Sequence, residues 1–576
     1  MNFEDVHTRN DLADFLGIKR GKLTYILYIQ KVDTMYSTFS IPKKCGGERT
    51  INAPNDDLKQ VQRKLADALW NYQVKIWKEN QIQTNISHAF QKSKSIVTNS
   101  MRHVRKRYVL NIDLKNFFDS FHFGRVRGFF MKNFFWGMTE EVATVIAQLT
   151  CYKGALPQGA PTSPIITNMI CNIMDMHLLS IAKRYKLNYT RYADDMTFST
   201  NDKHFIEHYD AFYKDLSGEI LRAGFQINEE KTRLLYNDSR QEVTGLIVNN
   251  KISIKREYYK NTQAMAHSLY TNGFFTINRE DGTISQLEGR FSFIDQIEKY
   301  NNSHDGEKHS AISLNHREKK YQEFLFYKNF CINSKPLIVT EGKTDILYIK
   351  SALRKMYLQY PDLIEKKDNQ WIYNLSFLHR SSKLSYFFDF SPDGADTMQN
   401  IYNLYMTHDK ARVNYYKCFR EKYDLKMHQP VILLFDNEFE KKDKSEKPVK
   451  KFIKKVKTDK KNQKEVPEEA EQIEETLRKE LYLHLIGNLY VQVVPLAPSE
   501  TSGEIEDLLG KDILNMEIGG RKFDRTGKED KSSFYNKDIL SKYVLSHYEE
   551  IDFSSFIPLL DTFRKIRNNF SVQKNT

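Results

Sequence analysis

Two adjacent carboxylates, Asp194 and Asp195, fall where two short β-rich runs meet within residues 189–200, and this pairing constrains the chain more than any other feature. The layout predicts a tight hairpin with acids at its tip. Neighbouring carboxylates repel each other and are costly beside apolar strands unless a cation offsets them. Magnesium is the natural counterion, because oxygen ligands and substrate phosphates suit it. A third carboxylate, Asp113, closes the short apolar run 109–114, with Phe117 and Phe118 directly after it. Brought beside the hairpin, the three acids could hold a pair of metals, one activating a hydroxyl nucleophile and the other neutralising nucleotide phosphates. The hairpin alone is equally compatible with a surface turn carrying an incidental Asp-Asp.

The chain has 576 residues, several times the size of one ordinary core, so about two to four domains are expected. Lysine plus arginine exceed aspartate plus glutamate by 87 − 74 = 13. That balance favours a polyanionic partner, nucleic acid before membrane. The five cysteines, Cys45, Cys151, Cys171, Cys331 and Cys418, are scattered and never form a Cys-x-x-Cys pair. Neither a disulfide framework nor a zinc site is suggested, and reduced thiols in a cytoplasm fit. The first five residues are acidic and lack an apolar core, and no apolar run approaches the roughly 20 residues that span a bilayer. The reading is a soluble cytoplasmic protein with no membrane partner.

Residues 1 to about 30 read as a helical lead-in, with Leu12, Phe15 and Leu16 at helical spacing. From about 35 to 240, short β-rich runs alternate with longer amphipathic helices, an α+β body. Residues 241–315 form a second body ending in the polar stretch 301–306. At Lys335-Pro336 a new unit opens with Leu337-Ile338-Val339, then Glu341-Gly342-Lys343 and a helical pattern from Asp345. A second strand, 431–435, ends in Asp436-Asn437-Glu438, and a third, 490–494, precedes Pro495 and Pro498. Repeated strand-then-acid units separated by helices predict an α/β sheet with its site at the strand ends. Residues 441–464 hold twelve lysines and three acids, which reads either as a solvated loop or as a nucleic-acid contact.

Tyr192-Ala193-Asp194-Asp195 resembles the signature of reverse transcriptases, and Leu156-Pro157-Gln158-Gly159-Ala160-Pro161-Thr162-Ser163-Pro164 resembles their template- and nucleotide-positioning loop. The likeness runs from Ile41 to about Ile254. It implies a right-hand polymerase of fingers, palm and thumb, with Asp113, Asp194 and Asp195 catalytic and holding magnesium. It also implies deoxynucleotide binding by Arg49 and Lys44 in the fingers, Tyr192, Gln158 and Gly159. By the same likeness Phe118 gates the sugar against a 2′-hydroxyl and Lys231 lies near the leaving pyrophosphate; a plain core role for Phe118 and surface solvation for the basic residues are the alternatives. Ser95-Ile96-Val97-Thr98-Asn99-Ser100-Met101-Arg102-His103 resembles the Asn-Ala-x-x-His element of bacterial retron enzymes, with Ser100 in place of alanine. Val243-Thr244-Gly245 matches their Val-Thr-Gly element. This implies a cognate structured noncoding RNA, primed from an internal 2′-hydroxyl to give branched RNA-linked single-stranded DNA (msDNA). RNA contact then falls to Asn99, His103, Val243, Thr244 and Gly245, with a satisfied structural role for Asn99 and His103 as the alternative.

Val339-Thr340-Glu341-Gly342-Lys343-Thr344-Asp345 resembles the first motif of Toprim domains. Asp436-Asn437-Glu438 matches their Asp-x-Asp with glutamate as the second acid, and Ser502-Gly503-Glu504-Ile505-Glu506-Asp507-Leu508 resembles the late motif of nuclease-type members. The resemblance implies catalytic Glu341, Asp436 and Glu438, which with Glu504 or Glu506 would bind magnesium or manganese and cleave DNA or RNA; a decayed Toprim fold used for assembly is the alternative. A fused effector of this kind implies a role in antiphage defence. The expected architecture is therefore an α+β right-hand polymerase followed by an α/β Toprim domain with insertions and a helical tail. Its boundaries are fingers and palm 1–240, thumb 241–315, linker 316–334, Toprim domain 335–510 and helical extension 511–576; a homo-oligomer is compatible with this.

Overall fold

The computed structural model describes residues 3–42, 46–82, 85–305, 311, 313–406, 413–439, 447–462, 472–496, 500–526 and 528–575. The chain divides into two units, Met1–Tyr258 and Tyr259–Thr576.

In the first unit, strands β1 (Tyr36–Pro42) and β2 (Glu48–Pro54) form an exposed antiparallel hairpin. Asn55 then caps the helix Asp56–Glu79, its side chain accepting from the Leu58 amide, and the helix buries Leu58, Val61, Leu65, Leu69 and Ile76 along one stripe. Strands β3 (Tyr108–Asp113), β4 (Asn188–Tyr192), β5 (Asp195–Thr200) and β6 (Arg233–Tyr236) make an antiparallel sheet in the order β4-β5-β3-β6. Its apolar face, including Leu110, Ile112, Met196 and Phe198, shares one core with Ile166, Ile170 and Met174 of the helix Ser163–Arg184. By length and composition this helix could cross a membrane, contrary to the expectation that no apolar run approaches that length; 67% of its apolar window is buried in the protein. A two-residue-turn hairpin of β7 (Glu242–Val243) and β8 (Leu246–Ile247) follows the sheet.

The second unit is built on a five-stranded sheet in the order Ser376–Phe377, Leu337–Thr340, Val431–Phe435, Leu489–Val493, Tyr482–Ile486. The first four run parallel and the last is antiparallel. Every residue of the three middle strands is buried, as expected of a parallel sheet covered on both faces. The long stretch between Asp345 and Val431 supplies the edge strand Ser376–Phe377 and a separate antiparallel hairpin, Ile364–Lys367 with Gln370–Tyr373, besides its helices.

Four expectations are corrected here. Residues 316–334 are not a linker: Asn315 caps the helix His316–Phe326 in a capping box with Glu318, and a wider helical turn, Tyr327–Cys331, continues it. Tyr321, Phe324, Leu325, Phe326 and Phe330 are buried in the core of the second unit; the polar run before the helix had masked its apolar face. Most of the expected thumb also belongs to that core, through Ala266, Leu269, Leu287 and Phe291. Finally, residues 448–462 of the lysine-rich segment form a helix, Pro448–Asn462, with Val449, Phe452, Ile453 and Val456 buried, rather than a solvated loop. Residues 441–446, 463 and 464 lie outside the described residues. The expected helical extension is integral too: Leu540, Val544, Leu559, Leu560 and Phe563 join the same core.

Candidate active sites

The register of β3 against β5 sets Asp113 directly opposite Asp195. Tyr192 pairs with Asp195 across the β4–β5 hairpin, leaving Ala193 and Asp194 as its turn, with Ala193 at φ 57°. The Leu114 amide donates to the Asp194 carbonyl at 3.1 Å, fastening the tip to the end of β3. The three acids expected to act together are thus neighbours.

Their electrostatics follow from that crowding. Burial first, then the Asp113 charge, raises the Asp194 carboxyl, while Lys231 and Arg49 pull it back. Asp195 is exposed to solvent on one side but crowded by protein on its others; this desolvation, with Asp194 and Asp113, pushes it up to about 7. Asp113 is held by the Lys231 ammonium at 3.0 and 3.1 Å and by Asn228 at 3.1 Å. Among the described residues no group of three His, Cys, Asp or Glu side chains closes on a single ion, and Lys231 supplies positive charge at this site. Crowded carboxylates, two of them raised first by burial and then by their neighbours' charge, are nonetheless a donor set that a divalent cation relieves.

Around them, Arg49 sits exposed on β2. Lys44 lies outside the described residues. The loop bearing Gln158 is fixed to β2 by the Asn52 amide, which donates to the Gln158 carbonyl at 2.9 Å. Gly159 has φ +127°, and a Cβ there would stand 2.8 Å from the Asn52 carbonyl oxygen, so only glycine permits this approach. Phe118 is half-buried, edge-on to Phe117 with ring centroids 5.5 Å apart. Tyr192 is half-buried beside Asp195.

Beneath the hairpin lies a group the sequence reading missed. Arg191 is fully buried; its Nε and Nη2 donate to the two Asp175 carboxylate oxygens at 2.8 Å, and its Nη1 donates to Asn168 and to the Ala193 carbonyl at 3.2 Å. Tyr189 donates to the same carboxylate at 2.8 Å. The sequence offered only an arginine directly before Tyr192, which does not by itself point to Asp175.

The residues assigned to RNA contact do not form an exposed surface. Asn99, His103 and Val243 are fully buried. His103 bridges Ser199 and Thr190, each at 2.7 Å, and burial holds its imidazole down at about 3. The Ser100 hydroxyl donates to the Val243 carbonyl at 2.9 Å, and Asn99 donates to Thr244 at 3.4 Å. Thr244 and Gly245, at φ 45° and 87°, make the β7–β8 turn, and of the set only Gly245 is exposed. The two motifs lock onto each other because each meets the other's buried polar groups.

In the second unit, Glu341 follows the strand Leu337–Thr340 and Asp436 follows Val431–Phe435. The Asp436 amide donates to Glu341 at 3.1 Å, and the Ile505 amide donates to Asp436 at 3.1 Å. Reciprocal backbone bonds of 2.9 and 3.0 Å join Asn437 to Gly503, drawing Glu504 and Glu506 to the same strand ends. Asp345, not assigned a role from the sequence, joins them, accepting from the Gly342 amide at 2.8 Å. The Gly394 amide donates to the Glu341 carbonyl at 3.0 Å. Burial, followed by the neighbouring acids, raises Glu341 and Asp436 well above the carboxylate range. Burial pushes Glu506 up to about 7, and its Oε1 is buried without a partner. That orphaned oxygen beside clustered acids fits a cation.

Basic side chains that sequence spacing could not place also converge. Lys537 lies 3.0 Å from Glu504 and 3.2 Å from Glu506, and their charges raise it against its own burial. Arg525 holds Glu504 at 3.3 Å and Asp507 at 2.5 Å. Lys447 holds Glu438 at 2.7 Å. Arg380 donates to the carbonyls of Thr340 and Gly394.

Comparison with known proteins adds independent findings. A family model described as reverse transcriptase (RNA-dependent DNA polymerase) matches residues 41–248, all within the first unit. The Retron Mx65 reverse transcriptase of Myxococcus xanthus is 34% identical over 280 residues, covering 45% of this chain and 62% of that protein. The chain thus spans less than two thirds of that relative's own length. The Retron Ec86 reverse transcriptase of Escherichia coli is 32% identical over 295 residues, covering 50% of this chain and 84% of that protein. Among solved structures, telomerase from Candida albicans with a fragment of telomeric RNA shows a slight likeness, with TM-score 0.31, 12% identity, and coverage of 51% of this chain and 60% of that one.

Proposed function

Because the chain belongs to the retron reverse transcriptase family, we propose that its first unit is an RNA-directed DNA polymerase that copies a cognate structured RNA into branched, RNA-linked single-stranded DNA. The observation that carries this reading is the opposition of Asp113 to Asp195 at the tip bearing Asp194. These three acids would hold magnesium, which when bound supplies charge for the nucleotide phosphates and lowers the barrier to deprotonating the primer hydroxyl. Lys231 is placed to exchange its contact with Asp113 for the departing pyrophosphate, and Arg49 to grip the triphosphate from the fingers. Phe118 excludes a 2′-hydroxyl, Tyr192 backs the primer end, and the Gln158-Gly159 loop, docked on β2, positions the incoming deoxynucleotide.

The second unit, in this proposal, is a Toprim-type nuclease effector in antiphage defence, restrained by the bound RNA–DNA. Its support is the convergence of Glu341, Asp345, Asp436 and Glu506 on parallel strand ends, with Glu438 and Glu504 at the rim. The acids would hold magnesium or manganese, while Lys537 and Arg525 offset charge accumulating on a phosphodiester oxygen. Among the described residues Cys151, Cys171, Cys331 and Cys418 are unpaired, which supports a reducing cytoplasm as its setting.

The deciding experiment is primer extension on the copurified RNA alongside metal-dependent cleavage of DNA and RNA. Asp194→Ala with Asp195→Ala abolishes extension; Glu341→Ala leaves extension intact and removes cleavage and toxicity. Continued synthesis by the double variant sinks the polymerase assignment. Absence of cleavage by the unaltered protein, with its nucleic acid bound or released, points instead to a noncatalytic scaffold for nucleoprotein assembly.

A further inference from the structure

The acid cluster of the second unit poses a physical problem: a pocket with Glu341, Asp345, Asp436, Glu438, Glu504 and Glu506 repels the polyanion it is proposed to cleave. The helix Pro448–Asn462 begins at its rim. Lys447, immediately before the helix, holds Glu438 at 2.7 Å. Phe452 packs on Phe435, the last residue of the strand delivering Asp436, at 4.9 Å between ring centroids, and on Tyr402 at 5.4 Å. The buried stripe Val449, Phe452, Ile453, Val456 therefore fixes the helix behind the acid-bearing strand.

The other face is cationic. Lys450, Lys454 and Lys457 recur at i, i+4 and i+7, with Lys451 beside them; Lys451 and Lys454 are exposed, and Lys450 and Lys457 are half-exposed. Across residues 447–459 there are six lysines and one acid, Asp459. A solvated amphipathic helix would normally interleave opposite charges. From Lys450 to Lys457 the stripe runs about 10 Å at 1.5 Å per residue, roughly three steps of a strand rising 3.4 Å per nucleotide.

We propose that this lysine stripe is a nucleic-acid backbone track that delivers a strand to the second acidic site. The inference rests on the nuclease reading for the identity of what is delivered, and on the helix alone for the binding. Each lysine neutralises a phosphate and releases condensed counterions, so the track lowers the cost of bringing a polyanion to a carboxylate pocket.

The test uses the full chain with the polymerase cleft filled by an unlabelled, chain-terminated primer–template. Labelled single-stranded DNA, duplex DNA and RNA are titrated over a range of salt, for the unaltered protein and for Lys450→Gln/Lys451→Gln/Lys457→Gln. For the preferred nucleic acid, the slope of log affinity against log salt becomes shallower by about 2–3, at roughly 0.7–0.9 per lost phosphate contact. Primer extension by the same variant, measured without the block, stays unchanged, showing that the protein is folded. A slope unaltered for all three probes overturns the proposal. Lysine acetylation gives an independent measurement: bound oligonucleotide protects Lys451, and undiminished modification counts against the track. If the slope changes but the unaltered protein cleaves none of the probes, the track stands and the nuclease reading fails.

Discussion

Replacing Arg191 by methionine tests how the hairpin bearing Asp194 and Asp195 is held. The guanidinium is fully buried and meets both Asp175 oxygens, Asn168 and the Ala193 carbonyl. Methionine fills similar volume but leaves the Asp175 carboxylate buried with only the Tyr189 hydroxyl. Breaking one side of a buried, hydrogen-bonded pair costs about 3–5 kcal/mol, most of it the stranded charge. At an m-value of about 2–3 kcal/mol per molar urea, the first unit's unfolding midpoint falls by roughly 1–2.5 M. Adding Asp175→Leu removes the stranded charge, so the double variant recovers most of the loss, with a coupling energy of at least about 2 kcal/mol. Polymerase activity does not recover with it, because the Ala193 carbonyl behind the acid-bearing tip still lacks its donor; a tip displaced by about 1 Å costs roughly a hundredfold in rate. Urea unfolding followed by circular dichroism, with primer extension on the same samples, reads both effects. A cost below about 1 kcal/mol for Arg191→Met, or strict additivity in the double variant, refutes the buried-pair account.

Three further outcomes follow from the same unit. His103 stays neutral when folded, with its imidazole lowered to about 3 chiefly by burial, whereas unfolded histidine titrates near 6.5. Between those values only the unfolded state takes up the proton, so stability falls as pH drops below about 6.5, by roughly 2 kcal/mol at pH 5 from this group; His88, lowered to about 4, contributes nearly as much at that pH, so His103→Gln removes about half of the slope in unfolding titrations. Gly159→Ala forces the Gln158 loop off Asn52 at a strain of about 1–3 kcal/mol, raising the deoxynucleotide KM about tenfold or more in primer extension; an unchanged KM disproves the docking role. Phe118→Val admits ribonucleotides, reducing discrimination by at least about tenfold, measured as the ratio of kcat/KM values for paired deoxy- and ribonucleotides.

The clustering of Asp113, Asp194 and Asp195 was legible because each sits in a local pattern of its own: an apolar strand before Asp113, a turn between two β-rich runs at Asp194-Asp195. Strand pairing then needed only the register that places Asp113 opposite Asp195. Arg191 and Asp175 were not legible. They lie on a strand and a helix, 16 residues apart, and what makes them a pair is shared burial, which sequence spacing does not encode. The same holds for Lys537 and Arg525, which reach Glu504 from 33 and 21 residues away. The misplaced linker has a different cause: the helix His316–Phe326 carries His316, Arg317, Lys319 and Lys320 in its first turns, and its aromatic face makes sense only against the core that covers it.

The segment 99–103 and the turn 243–245 show where resemblance and physics part. A motif of asparagine, histidine and threonine reads equally well as an RNA-contacting surface or as a set of internal hydrogen bonds, since both need the same donors and acceptors. Burial decides between them. With His103 bridging β4 and β5 through Thr190 and Ser199, and Ser100 tied to Val243, the motif braces the sheet that carries Asp194 and Asp195. Substitutions at His103 should therefore change stability and its pH dependence before they change RNA affinity at constant fold. Gly245, the exposed residue of the same turn, has open space around it but stands at φ 87°, so Gly245→Asn, the side chain that best tolerates that region, is the substitution that can alter RNA binding with little strain, and comparing the two by RNA filter binding and urea titration separates bracing from contact.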